Sequence, residues 1–462
     1  MVKKNTWETY SSKQLKELEK INAQYRDFLD NGKTERECID TIVNTIEKSG
    51  YRELESLIKE GTALKTGDKV YSVWMNKSIA MFQIGRKPMT EGMNILGAHI
   101  DSPRLDVKQN PLYEDGGFAY LDTHYYGGVK KYQWVTIPLA IHGVIVKKDG
   151  TCVEINIGEN EDDPVFFVSD LLIHLAQEQL EKKAAKVIEG EALDIIVGNK
   201  PLLIDKKDKK KDEKEAGKEA VKAGVLDILK ETYDIHEEDF VSAELEIVPA
   251  GKAREAGFDR SMILAYGQDD RVCAYTSMQA MLDSDVTDRT MCCILVDKEE
   301  IGSVGATGMQ SHFFENAVAE VMNLTGEYSE LHVRRCLAHS CMLSSDVSSA
   351  FDPTYASSFD KKNVAYLGGG MVINKFTGAR GKSGSNDANA EYLAHLRHIF
   401  DKAEVNFQTA ELGKVDLGGG GTIAYILALY GMNVIDSGVA VLNMHAPWEA
   451  TSKADVYETY RG

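Results

Sequence analysis

From Phe258 onward the sequence alternates short apolar runs with stretches of helical periodicity, and that alternation limits the possible folds more than any other feature. Strand-like residues 262–266 lead into a helical stretch over 272–282, and strand-like 291–296 into a loop and a helix over 313–324. A strand is predicted at 341–343, helices at 388–402 and 422–430, and one further strand at 434–442. Strands alternating with helices build an α/β sheet covered on both faces. Earlier in the chain, residues 93–97 form a matching strand that runs into His99, Ile100, Asp101 and Ser102. Pro103 closes it and forces a turn.

Between these parts the texture changes. Residues 135–147 and 152–157 are β-like, and 168–185 predict a helix. A lysine-rich run with interleaved acids begins at Lys206, and such dense charge reads as an exposed loop. Residues 13–48 predict one long helix at the front of the chain. The simplest organisation is an α/β domain from residues 1–105 and 258–462, with a β-rich domain at 106–257, about 150 residues, inserted into it.

Charge and cysteine usage narrow the function. A net charge of −19 repels phosphate backbones and anionic lipid, so neither nucleic acid nor a membrane surface is the expected partner. The first twenty residues hold two early lysines without an apolar run behind them, unlike a signal peptide. Nothing in the sequence approaches the ~20 apolar residues of a membrane span. Seven cysteines without a C-x-x-C pair suggest reduced thiols in a cytoplasmic protein.

Five polar clusters fall where the predicted strands end: His99 with Asp101, Asp269 with Asp270, Glu299 with Glu300, Asp346, and His445. Open α/β sheets bind ligands beyond the carboxyl ends of their strands. Each cluster alone is ordinary, as a solvated turn, a helix cap or a surface histidine. Together they offer imidazoles and carboxylates without thiolates, a set suited to zinc, manganese or cobalt. A shared carboxylate can hold two such ions ~3.5–4 Å apart, where one water is activated between them. Adjacent glutamates let one bind metal while the other takes the water's proton. Asp101 is placed to hold the second ring nitrogen of His99.

The segments GAHIDSPRLDVK, YGQDDRVCAY, DKEEIGSVGATG, SSDVSSAFDPTY and LNMHAPWE resemble, in order, the metal-site blocks of the aspartyl aminopeptidase and vacuolar aminopeptidase I family. The resemblance implies a zinc-exopeptidase-like fold, a central mixed sheet flanked by helices, with the insert serving for dimerisation. It implies a metallo-aminopeptidase that removes acidic or neutral first residues from peptides with two divalent ions per subunit, zinc foremost and cobalt or manganese as alternatives. His99, Asp269 and Asp346 would hold one ion, and Asp269, Glu300 and His445 the other. Glu299 would be the general base and Asp101 the orienter of His99, and the peptide from Asp269 to Asp270 would be cis. It further implies dimers assembled into a closed dodecamer, with His174 reaching a neighbouring subunit's site.

Two segments depart from the family's eukaryotic pattern: four glycines, Gly418 to Gly421, before Thr422, and Ala446-Pro447-Trp448 after His445. Both would lie near the substrate and bear on its side chain. Arg104, Lys375 and Lys382 tilt the expectation towards acidic residues. A phosphate-binding loop at Gly378, Gly381, Lys382 and Ser383 is disfavoured, because Phe376 stands where that loop needs glycine. The remaining alternatives are another dinuclear amide hydrolase, a deacylase or carboxypeptidase, and a non-catalytic assembly protein.

Overall fold

The run Met291–Val296 (β13) is apolar throughout because both its faces are covered. Cys293 and Leu295 enter one core and Cys292, Ile294 and Val296 the other, following the strand period of two. In the computed structural model, which describes residues 5–202, 219–378 and 380–462, this strand lies within a nine-stranded mixed sheet. Its other members are β1 (Arg52–Glu53), β2 (Lys69–Trp74), β3 (Ser78–Gln83), β4 (Asn94–His99), β14 (Cys341–Ser345), β16 (Met371–Asn374), β17 (Phe407–Thr409) and β18 (Asn433–Gly438). The order is β1-β2-β3-β13-β4-β14-β18-β16-β17, and the central four strands, β13, β4, β14 and β18, are parallel.

Helices α1 (Ser12–Asp30), α2 (Glu35–Lys48), α7 (Gln268–Leu282) and α12 (Lys453–Arg461) bury side chains in the first core. The second core takes those of α3 (Leu54–Glu60), α8 (Phe313–Leu324), α9 (Glu330–His339) and α11 (Ala424–Ala428). Helix α10 (Ala390–Lys402) packs a smaller cluster with β16 and β18. The expected single helix at 13–48 is two, because Thr34 starts a new one. Its Oγ1 accepts the Glu37 N–H at 3.2 Å, and Glu37 Oε2 accepts the Thr34 N–H at 3.1 Å.

A second sheet is ordered β11-β12-β20-β19-β15, from Arg254–Ala256 (β11), Met262–Ala265 (β12), Glu449–Ser452 (β20), Ala440–Leu442 (β19) and Ser348–Ser349 (β15). Two chain segments pass from the large sheet into it, β14 into β15 through Asp346 and Val347, and β18 into β19 through Val439. The predicted strand at 434–442 is therefore two strands in two sheets. Gly438 permits the crossing, since a Cβ there would lie 1.8 Å from Asp346 O.

The described residues fall into two compact units, one of Met1–Ser102, Ala253–Met444 and Trp448–Gly462, the other of Pro103–Lys252 with His445–Pro447. The second contains an antiparallel sheet, β8-β7-β10-β5-β6-β9, from β5 (Arg104–Asp115), β6 (Phe118–Tyr126), β7 (Leu139–Val146), β8 (Cys152–Ile157), β9 (Ile195–Gly198) and β10 (Ala243–Pro249). The helix expected at 168–185 does not form. In its place stand a 3-10 turn at Ile173–Leu175 and the short helices α4 (Gln177–Leu180) and α5 (Ala184–Val187), and α6 (Ala220–Tyr233) follows later. Leu171, Leu172, Ile173 and Leu175 are exposed, so the apolar positions taken for a helix's buried stripe contact no core. Residues 206–218 of the lysine-rich run lie outside the described residues. Among the described residues no helix is long and apolar enough to cross a membrane.

Candidate metal centre

The parallel strands deliver their polar residues at one end of the large sheet. His99 is the last residue of β4, Glu299 and Glu300 form the turn after β13, and Asp346 follows β14. Asp269 and Asp270 follow β12 at the start of α7, where the helix proper begins only after Asp270 and the Asp269–Asp270 peptide is cis. His445 lies in the loop joining β19 to β20, held at both ends by strands of the second sheet.

Asp101, fully buried, organises two of these elements. His99 Nδ1 lies 3.0 Å from its carbonyl oxygen and 3.2 Å from Oδ1. Both are acceptors, so Nδ1 carries the hydrogen and Nε2 keeps its lone pair. The same carboxylate accepts the backbone N–H groups of Glu299 and Glu300, each at 3.1 Å. Asp101 thus fixes the ring of one candidate ligand and the turn that presents both glutamates.

The corner carrying Asp269 is held as firmly. Glu449 Oε2 accepts its N–H at 3.0 Å, Ser102 Oγ donates to its carbonyl at 2.6 Å, and Gln268 Nε2 donates to Glu449 O at 2.6 Å. Asp346 donates its N–H to Ser437 O at 2.7 Å. Sequence reasoning gave no role to Glu449 or Ser437. Glu449 lies inside a block singled out for its histidine, whereas nothing in the sequence pairs Ser437 with Asp346.

Two trios bring their donor atoms within 4.8 Å of one another: His99, Asp269 and Asp346, and Asp269, Glu300 and His445. Asp269 belongs to both. His99 Nε2 is buried without a hydrogen-bond partner and faces Asp269 Oδ1 at 3.3 Å, Glu299 Oε2 at 3.9 Å and Asp346 Oδ1 at 4.0 Å. A buried imidazole lone pair aimed among carboxylates fits a divalent cation. The electrostatics agree. Burial would lower the His99 imidazole, yet the carboxylates of Asp101, Asp269 and Glu299 around it outweigh this and raise it well above its ordinary value, as a site that calls for positive charge would. Burial and then the Asp270 charge raise the Asp346 carboxyl well above the usual range. His445 Nδ1 lies 3.0 Å from Gly128 O, which makes Nε2 its candidate donor to a cation.

The other expected residues have settings of their own. His174 is exposed, in the 3-10 turn of the second unit. Arg104 is buried within that unit against Asp106 (2.7 Å), Glu246 (3.2 Å) and the Tyr126 ring. Lys375 and Lys382 share one carboxylate, Asp387, and Lys382 stacks on Phe376. The Gly378 segment turns back on itself through a bridge between Phe376 and Asp387, unlike a phosphate-binding loop, which enters a helix directly.

A family model described as aminopeptidase I zinc metalloprotease (M18) matches residues 28–461. A probable M18 family aminopeptidase 1 of Clostridium acetobutylicum is 63% identical over 459 residues, covering 99% of this chain and 97% of that protein. The crystal structure of an M18 family aminopeptidase from Thermotoga maritima superposes with a TM-score of 0.92 at 44% identity, covering 100% of this chain and 98% of its own. The S. cerevisiae mApe1 dodecamer shares the fold at a TM-score of 0.74 and 20% identity over 95% of each chain.

Proposed function

Because this chain belongs to the aminopeptidase I family of zinc metalloproteases (M18) and is an aminopeptidase, we propose that its two trios hold two zinc ions with Asp269 shared between them. The observation that carries this reading is the buried His99 Nε2, aimed at Asp269 and Asp346 and fixed from behind by Asp101. Bound zinc supplies a Lewis acid for the scissile carbonyl and a water acidified to near neutrality. Glu299, whose Oε2 faces the same centre, accepts the attacking water's proton and hands it to the leaving amine. Asp101 keeps that base in place through the Glu299 amide.

The substrate is a peptide with a free N-terminus. The three cations that suggested an acidic first residue are already engaged, Arg104 by Asp106 and Glu246 and both lysines by the single carboxylate of Asp387, which favours a neutral one. For assembly, we place the inserted unit at a dimer contact within a homo-oligomer, a dodecamer like that of the yeast neighbour, with His174 serving a neighbouring subunit's site. The exposed apolar side chains flanking His174 support such a contact. Seven cysteines without a disulfide suit the cytoplasm.

The test is metal content and turnover measured together on a panel of aminoacyl fluorogenic peptides. Two zinc ions per chain and cleavage restricted to the first residue are expected, with leucyl-type substrates ahead of aspartyl ones. One ion per chain, or cleavage at the C-terminus, overturns the reading.

A further inference from the structure

Strand β18 serves the site twice. Ser437 receives the N–H of Asp346, and the residue before it, Asp436, projects to the opposite face of the strand. Thr422 Oγ1 donates to Asp436 Oδ1 at 2.6 Å and accepts the Ala424 N–H at 3.3 Å, which fixes the start of α11. On α11, Tyr425 OH accepts from Gln310 Nε2 at 3.2 Å. The same amide donates at 3.0 Å to Gly302 O, the residue closing the Glu299–Ile301 turn. A hydrogen-bonded path thus runs from Asp436 through Thr422, α11 and Gln310 to the turn that presents Glu299.

We propose that Asp436 is a positioning residue for the aminopeptidase reaction, setting α11 through Thr422 and thereby the turn that holds Glu299. The proposal rests on Glu299 being the base. Asp436 is 2% exposed, and its Oδ2 has no hydrogen-bond partner. Ser344 of β14 and Asn374 of β16 stand opposite it in register, Thr422 comes from the loop, and the charge acting on it is that of Glu299. Burial pushes its carboxyl up to about 7, against the pull of Thr422, and the Glu299 charge adds to the rise.

The experiment compares Thr422→Val, Asp436→Asn, Asp436→Leu and Glu299→Gln in the zinc-loaded assembly, reading kcat and KM from pH 5.5 to 9 alongside zinc content. Thr422→Val keeps the side-chain shape and removes the hydroxyl. It is expected to lower kcat by roughly 10- to 100-fold at unchanged zinc, since small misplacements of catalytic groups cost about that much. Asp436→Asn keeps the acceptor and removes the charge. It is expected to retain most of kcat, because the Thr422 bond and with it the placement of α11 survive, whereas Asp436→Leu, which removes the acceptor, is expected to fall as Thr422→Val does. Wild-type kcat and KM in Thr422→Val and Asp436→Leu would overturn the proposal. Loss of zinc from Thr422→Val would overturn it equally, since the bond would then serve the metal ligands. An active Glu299→Gln means that the base assignment itself has failed. An inactive one beside wild-type Thr422 and Asp436 variants means that only this inference has.

Discussion

Two regions of the chain invert the usual rule of burial in opposite senses. At the candidate metal centre, His99, Asp101, Asp269 and Asp270 are polar and at most 3% exposed. Around His174 in the second unit, Leu171, Leu172, Ile173 and Leu175 are apolar and 46% to 68% exposed. Burying charge is expensive without partners, and the first region supplies them: bonds among Asp101, His99, Asp269, Ser102 and Glu449, and carboxylates that suit a cation. Among the described residues the second region has no such compensation. A contiguous apolar surface left in water marks a contact with another molecule. The buried charges of the first region thus find their partners within one chain, and the second calls for a partner surface.

Experiments on the two regions should separate them. The largest effect is expected from Glu299→Gln, a loss of ~10²–10⁴ in kcat with metal content unchanged. Elemental analysis beside the assay checks both halves of that statement. His174→Ala should reduce turnover by ~10²-fold if its imidazole stabilises developing negative charge in a neighbour's site, with zinc and particle size retained. Unimpaired turnover in a fully assembled variant would confine catalysis to the first region and break the comparison. Asp101→Asn, which perturbs the ring of His99 and the glutamate turn together, should weaken zinc affinity by ~10–100-fold, measurable by competition with a chelator. The smallest effects concern stability. Leu295→Ala, fully buried in the first unit, should cost about 2–5 kcal/mol in denaturant unfolding. Ile173→Ser in the second should stay within about 0.5 kcal/mol yet shift sedimentation towards smaller particles.

The sequence announced most clearly those elements whose burial is uniform. Residues 291–296 and 313–324 lie where periodicity placed them, because two-faced cover writes a continuous apolar run and one-faced cover a helical stripe. The same signal misled at 168–185. Apolar residues there recur at helical spacing without a core to face, so periodicity reported a surface that the chain does not bury upon itself. At 434–442 the apolar run is unbroken, yet the strand changes sheets at Val439, and only Gly438 hints at the crossing. The last residues read as helix, and α12 forms there although much of its buried face is polar. Lys453, Asp455 and Glu458 are buried beside the core residues Ala454, Val456 and Tyr457, paired by Glu19, by the Gly368 and Gly370 amides and by Arg461. At the site, side chains at strand ends were legible from chemistry and spacing. Asp436 was not, since its partner Thr422 belongs to an element that the sequence does not place beside it.

The strand pairing beneath His99 has a consequence for synthesis. β4 finds both its neighbours, β13 and β14, roughly 200 and 250 residues further along the chain. A ribosome adding about 5–20 residues per second has been working for tens of seconds after Asn94 before either neighbour exists. Until then the His99 strand has no parallel partner to lie against, and the loop carrying His445 comes later still. A nascent or interrupted chain therefore holds fragments of the peptidase but no centre able to cut, and the proteins being made around it are not exposed to a half-built protease.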